Sequence, residues 1–277
     1  MNKNYFNLYI LLILSNILIC QKLNETLNPI NSSEYKILNT YYREYDNKIY
    51  TQGLFFSDDK TSIYESGGLY GESRIIQLKY PSLEIIKETK MNYKYFGEGI
   101  AKCNNFIYQL TWRERKIIKY DYNTLEKINE IDMDYQMKEG WGLSISNKEN
   151  ELFATDGSDK IFRLDCNQNL KVIEIIHVKF NGHSVNYLND LIYNNGFIYL
   201  NIYLDNRIAK VNIENGEIVK FYNMQNLIEF EFQKGILTTS NFHKGDVLNG
   251  IAYNDKNQSF LITGKRWGYM YEIVFNE

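Results

Sequence analysis

Side chains with conventional catalytic chemistry are few and scattered in this sequence. His177, His183 and His243 share no metal-ligand spacing. Cys20 falls in an apolar N-terminal run, and Cys103 and Cys166 read as two separate thiols, in surroundings that suit neither zinc nor redox chemistry. What remains is less usual. Glu98 stands between two glycines, Gly97 and Gly99, a setting for close approach of backbones around a carboxylate. Trp112, Trp141 and Lys265 each begin or follow a short apolar run. A carboxylate that moves protons, aromatic walls and a cation that polarises a carbonyl make a site only if the fold brings them together.

The elements that must position them repeat five times. A short strand ending in an aromatic or aliphatic pair recurs at Ile63, Ile107, Leu152, Ile198 and Phe260, at intervals of 44, 45, 46 and 62. A second pattern follows each, reading RIIQL from Arg74, KIIKY from Lys116, KIFRL from Lys160, RIAKV from Arg207 and YMYEI from Tyr269. A third precedes them, as Gly53-Leu54, Gly99-Ile100, Gly142-Leu143, Asp190-Leu191 and Gly250-Ile251. Alternating short strands at this period predict the blades of a β-propeller, and helical periodicity is absent. The fold class is therefore all-β, a five-bladed propeller over residues 35–277. The stretch from Tyr35 resembles a fourth strand, and the chain stops after the third strand of its last unit. The N-terminal strand is thus expected to close the ring and remove an open sheet edge. The long interval holds an insertion, expected to be a loop, around residues 225–245.

In a propeller the innermost strand of each blade starts at one channel mouth, and the next, antiparallel strand ends there. The repeats then define two rings: Gln52, Glu98, Trp141, Asn189 and Asn249, and Gly68, Trp112, Gly157, Tyr203 and Lys265. Their residue types differ although their frames repeat. One carboxylate, three amides, two Trp, one Tyr and one Lys at a single mouth suit a small-molecule pocket.

Bulk properties set outer limits. The net charge is −3 with no basic block, which gives nucleic-acid binding little support. Hydrophobic residues make up 44%, enough to bury a core, and 24 Tyr lean towards strands. Lys3 precedes an uncharged, mostly apolar run from Tyr5 to Cys20, so residues 1–20 read as a signal peptide or a signal anchor, with a linker over 21–34. The chain is expected in the secretory pathway, secreted or lumenal, and at a membrane only if that segment is retained. Sequons at Asn24, Asn31 and Asn257 are compatible with this route.

Several long segments carry a family resemblance: YTQGL at Tyr50, YESGGLYGES at Tyr64, FGEGI at Phe96, YQLTW at Tyr108, EGWGL at Glu139, DGS at Asp156, LNDL at Leu188, DVLNGIAY at Asp246 and TGKRW at Thr263. From about residue 35 onward the chain resembles the plant-type glutaminyl-peptide cyclotransferases, which are five-bladed propellers. The resemblance implies conversion of an N-terminal glutamine to pyroglutamate with release of ammonia. It implies Glu98 as catalytic acid/base and a substrate pocket from Gln52, Trp112, Trp141, Asn189 and Lys265. The family usually has Trp where this chain has Tyr203, which keeps an aromatic wall and adds a hydroxyl. No cofactor is required by such a reaction, and a structural calcium ion in the channel is compatible with the fold. The expected partners are peptides or proteins beginning in Gln, and the expected state is a monomer. The alternative reading is a non-catalytic propeller that holds peptides or glycans on the same face.

Overall fold

The computed structural model describes residues 32–43 and 49–277. The apolar segment 1–20, most of the linker, Cys20 and the sequons at Asn24 and Asn31 lie outside the described residues. The rest forms five antiparallel four-stranded sheets, as the repeats predict.

The N-terminal strand is β1 (Tyr35–Tyr42). Blade 1 holds β2 (Thr51–Phe56), β3 (Ser62–Gly67), β4 (Arg74–Lys79) and β5 (Ile85–Lys90). Blade 2 holds β6 (Gly97–Cys103), β7 (Phe106–Thr111), β8 (Lys116–Asp121) and β9 (Lys127–Asp132). Blade 3 holds β10 (Leu143–Ile145), β11 (Glu151–Thr155), β12 (Lys160–Asp165) and β13 (Lys171–His177). A small hairpin of β14 (Lys179–Phe180) and β15 (His183–Ser184) leads to blade 4, made of β16 (Leu188–Asn194), β17 (Phe197–Ile202), β18 (Arg207–Asn212) and β19 (Ile218–Asn223). Blade 5 holds β20 (Leu248–Asn254), β21 (Ser259–Gly264) and β22 (Tyr269–Phe275), and β1 completes it by pairing antiparallel with β22 from Tyr35↔Phe275 to Tyr42↔Tyr269.

Burial falls outward through each blade. In blade 1 every residue of β2 and β3 is buried, β4 alternates, and β5 is exposed along most of its length. Apolar side chains of neighbouring blades interlock between the sheets, so the core is a set of inter-blade layers. Around the axis the inner strands touch backbone to backbone. A Cβ on Gly99 would lie 2.3 Å from the Leu143 nitrogen, and one on Gly142 would lie 2.2 Å from the Asn189 carbonyl oxygen. Only glycine permits that approach at these two positions.

Two expectations are corrected. Cys103 and Cys166 are not separate thiols: they form a disulfide, with Cα atoms 6.6 Å apart. Cys103 ends β6 and Cys166 follows β12, so both reach the face opposite the β6 start, on adjacent blades. Their separation of 63 residues in sequence hid that proximity. A cross-link of this loop length stabilises by roughly 4 kcal/mol through lost unfolded-state entropy. The insertion is not a plain loop either. It carries helix α1 (Gln225–Gln233) and helix α2 (Thr239–His243). Leu227, Ile228 and Phe230 of α1 pack with Tyr222, Trp267 and Tyr271 of blades 4 and 5. The buried carboxylate of Glu231 accepts the backbone N–H groups of Gly268 and Tyr269 and the Tyr271 hydroxyl. Thr238 begins α2 with a reciprocal capping box to Asn241.

Candidate active site

The inner strands share a device at the channel mouth. Pairing with the second strand slips between Thr51 and Gly53, between Gly97 and Ile100, between Leu188 and Leu191, and between Leu248 and Ile251. The slip in β2 leaves Gln52 out of the ladder, and the other three leave out a pair that begins with Glu98, Asn189 or Asn249, so each slip frees a member of the first ring of the sequence reading. A bulge frees a side chain from the alternation of its strand and re-aims it. In blade 3 the same place is taken by Trp141, just before β10. The second ring comes from residues following the second strands.

Together they enclose a cavity of about 190 Å³, lined by Tyr50, Gln52, Leu69, Phe96, Glu98, Trp112, Trp141, Asn189, Tyr203 and Lys265. All seven residues anticipated as catalytic or substrate-binding line it. Three other ring members stand behind the wall. Asn249 is buried and donates to the Thr51 carbonyl at 3.0 Å and to Gln52 Oε1 at 3.4 Å. Gly68 and Gly157 leave room for aromatic rings, since a Cβ there would lie 2.6 Å from Phe96 and 2.6 Å from Trp141.

Glu98 is at the floor, 5% exposed. Gln52 Nε2 donates to its Oε1 at 3.0 Å. Burial raises its pKa well above the ordinary carboxylate value; Lys265 opposes this, and the negative charges of Glu139, Glu114 and Asp190 reinforce it. Lys265 is buried beside it, with Nζ 4.9 Å from the ring centres of both Tyr50 and Tyr203. Loss of hydration lowers its pKa to about 8, against the pull of Glu98, Asp190 and Asp246. Asn189 presents a buried Oδ1 with no hydrogen-bond partner among the described residues. Tyr203 stands edge-on to Trp141 at 5.8 Å, and Phe96 packs against Trp112 at 5.5 Å. Both indole N–H groups, from Trp112 and Trp141, donate to Glu139 Oε2 at 2.8 and 2.9 Å.

Sequence reasoning passed over Tyr50, Leu69, Phe96, Glu139 and Asp190. A signal was available: Tyr50, Phe96 and Glu139 each lie two residues before the ring positions Gln52, Glu98 and Trp141. Asp190 occupies the place that is glycine in the other four repeats, so its carboxylate enters the axis, where it accepts Ile251 N–H at 2.9 Å. Glu98 remains the one carboxylate in the two rings, yet it is not the one acidic group near the mouth. Among the described residues no three His, Cys, Asp or Glu side chains converge as metal ligands. A larger hollow of about 360 Å³ at the other end of the molecule is lined by strand-turn residues, including Lys60, Asn104 and Glu149, and by Lys102, which is paired with Asp58.

A family model described as glutamine cyclotransferase matches residues 9–275. The chain belongs to the glutamine cyclotransferase family. It is 34% identical over 236 residues to a glutaminyl-peptide cyclotransferase of Arabidopsis thaliana, covering 84% of this chain and 69% of that protein. The crystal structure of Myxococcus xanthus glutaminyl cyclase superposes with a TM-score of 0.75 at 25% identity, over 87% of this chain and 96% of that one. In this family member, then, the ring residues, the bulges that aim them and the aromatic walls surround a cavity below the 300–1,000 Å³ usual for drug-sized ligands. Its size suits one amino-acid residue.

Proposed function

We propose that this chain is a glutaminyl-peptide cyclotransferase that closes the N-terminal glutamine of peptides and proteins into pyroglutamate, with Glu98 moving the proton. One observation carries the reading. In a chain of this family, a carboxyl, an ammonium group and an amide oxygen with no hydrogen-bond partner among the described residues are buried together in an aromatic-walled cavity with room for one residue.

The chemistry follows from the substrate. Its α-amine attacks its own side-chain amide carbon, a C–N bond forms in a five-membered lactam, and the amide C–N bond breaks to release ammonia. The nucleophile and the leaving group belong to one molecule, so the protein's task is to hold the coiled conformer and carry a proton. Glu98 takes the proton from the attacking amine and returns it to the departing nitrogen, ending as it began. Its raised pKa makes the ionised form a stronger base for the first half of that cycle. Lys265 would stabilise the developing oxyanion, and Asn189 Oδ1, which has no hydrogen-bond partner among the described residues, would receive a substrate N–H. Trp112, Trp141 and Tyr203 would press the glutamine side chain into its folded form.

Entry into the secretory pathway belongs to the same proposal. It is supported by the Cys103–Cys166 disulfide, a bond that persists in oxidising compartments.

The test is incubation of the purified chain with a peptide beginning in Gln and with the same peptide beginning in Asn. Mass spectrometry should show loss of one ammonia from the Gln peptide, coupled to free ammonia in solution. Binding of the Gln peptide without mass change at any pH would replace this reading with the non-catalytic propeller.

A further inference from the structure

Two of the cavity's walls come from different blades. Trp112 follows β7 in blade 2, and Trp141 precedes β10 in blade 3, so no strand pairing sets one indole against the other. A single carboxylate oxygen does. Glu139 Oε2 accepts from Trp112 Nε1 at 2.8 Å and from Trp141 Nε1 at 2.9 Å. Its other oxygen accepts from Arg113 Nε at 3.2 Å, and the Arg113 guanidinium lies over the Trp112 ring at 3.7 Å. Carboxylate, guanidinium and two indoles thus close a circuit along one rim of the cavity.

We propose that Glu139 is a positioning residue for the cyclisation, holding Trp112 and Trp141 as fixed walls around the substrate side chain above Glu98. The proposal rests on the reading under Proposed function. An indole is free to turn about two bonds, and a wall that turns no longer selects the folded conformer of a flexible side chain. Trp141 is steadied on one side by its seat over Gly157, and Trp112 by Phe96. Neither contact fixes the distance between the two rings. A carboxylate suits the position because all three neighbours are donors. A glutamine of the same shape would turn its own N–H₂ towards either Arg113 or the indoles, setting donor against donor. The charge matters too. The negative Glu139 is one of the groups that favour the protonated form of Glu98.

The test compares wild type, Glu139→Gln and Glu139→Ala in ammonia release from a Gln-initiated peptide across pH, with melting temperatures measured alongside. Glu139→Gln is expected to fold and to lose about tenfold or more in kcat/KM, and Glu139→Ala to lose more. Removing the negative charge lowers the Glu98 pKa, so the acid limb of the kcat/KM profile should move to lower pH in both. A kcat/KM within about twofold of wild type, or an acid limb that stays in place, would leave Glu139 a structural residue and overturn the proposal. Arg113→Met covers the case in which neither variant folds. It removes the guanidinium from the circuit, on a side chain 62% exposed, and should lower kcat/KM about threefold; no change would overturn the proposal. Wild type that turns over no Gln peptide defeats the functional reading and this proposal with it. Active wild type with unaltered variants defeats the proposal alone.

Discussion

At the scale of single residues, the site is built from side chains whose ordinary ionisation has been disturbed by burial. Glu98 and Lys265 line the same cavity, both buried, and burial pushes each towards its neutral form. In the proposed reaction Lys265 would polarise a carbonyl only while protonated, and its pKa is lowered to about 8. Activity should therefore fall as pH rises through about 8. Lys265→Met is expected to lower kcat/KM by about 100-fold, in the range for loss of one oxyanion donor, and to abolish that alkaline decline. A decline that persists in the variant would assign it to another group. The ring positions could be read from the repeats because a bulge follows the same frame in four blades. The supporting shell was less legible. Glu139 sits in an ordinary turn, and its role comes from two tryptophans that meet only across a blade boundary.

Secondary elements show a similar division. The three inner strands of each blade, and the closing strand β1, follow from alternation and turn residues that act locally. The helices of the insertion depend on partners. Leu227, Ile228, Phe230 and Glu231 form one face of α1, but the stretch is short and mixed, and its stability comes from docking on blade 5. Glu231 is the peg of that docking. Burial raises its pKa to about 7 from an ordinary 4.5, against the lowering effect of its donors. A pKa raised on folding favours the native state most below the ordinary carboxylate value, and that contribution is lost as pH rises through about 7. Glu231→Gln should lower stability by about 1–3 kcal/mol, because one backbone N–H then faces an amide N–H₂. Since glutamine does not titrate, the gap in melting temperature from wild type should narrow between about pH 5 and pH 8. A gap that widens over that interval would contradict the assignment. The disulfide was hidden for the same reason as the helix: its partners are neighbours between blades, not along a strand.

For the whole molecule, the decisive feature is how the ring closes. β1 supplies the outer strand of blade 5, and Arg43, just beyond it, turns inward. Its Nη1 donates to Glu65 of blade 1 at 2.9 Å and its Nη2 to Thr263 of blade 5 at 2.9 Å, with both charged side chains fully buried. Thr51 adds a hydrogen bond to the same carboxylate at 2.6 Å. The ring is thereby closed by the pairing of β1 with β22 within blade 5 and by an ion pair that reaches from Arg43 to Glu65 of blade 1. Arg43→Ala would leave Glu65 buried without its cation and should cost about 3–5 kcal/mol in denaturant-induced unfolding. A loss below about 1 kcal/mol would mean that strand pairing alone holds the seam. Closure by an N-terminal strand was readable from one unit lacking its fourth strand. The buried pair was not, because Arg43 and Glu65 belong to different blades and neither lies in a repeated motif.

The central claim is that Glu98 carries the proton in glutamine cyclisation. The most direct test is kcat/KM for a Gln-initiated peptide, measured from acid to alkaline pH for wild type and Glu98→Gln. Wild type should show an acid limb displaced above the ordinary carboxylate range, because only the ionised form of a carboxyl with a raised pKa accepts the amine proton. Glu98→Gln should retain the fold and lose about 100- to 10,000-fold in rate, leaving only the acid limb set by the substrate's own α-amine. Equal turnover by the two proteins would contradict the account.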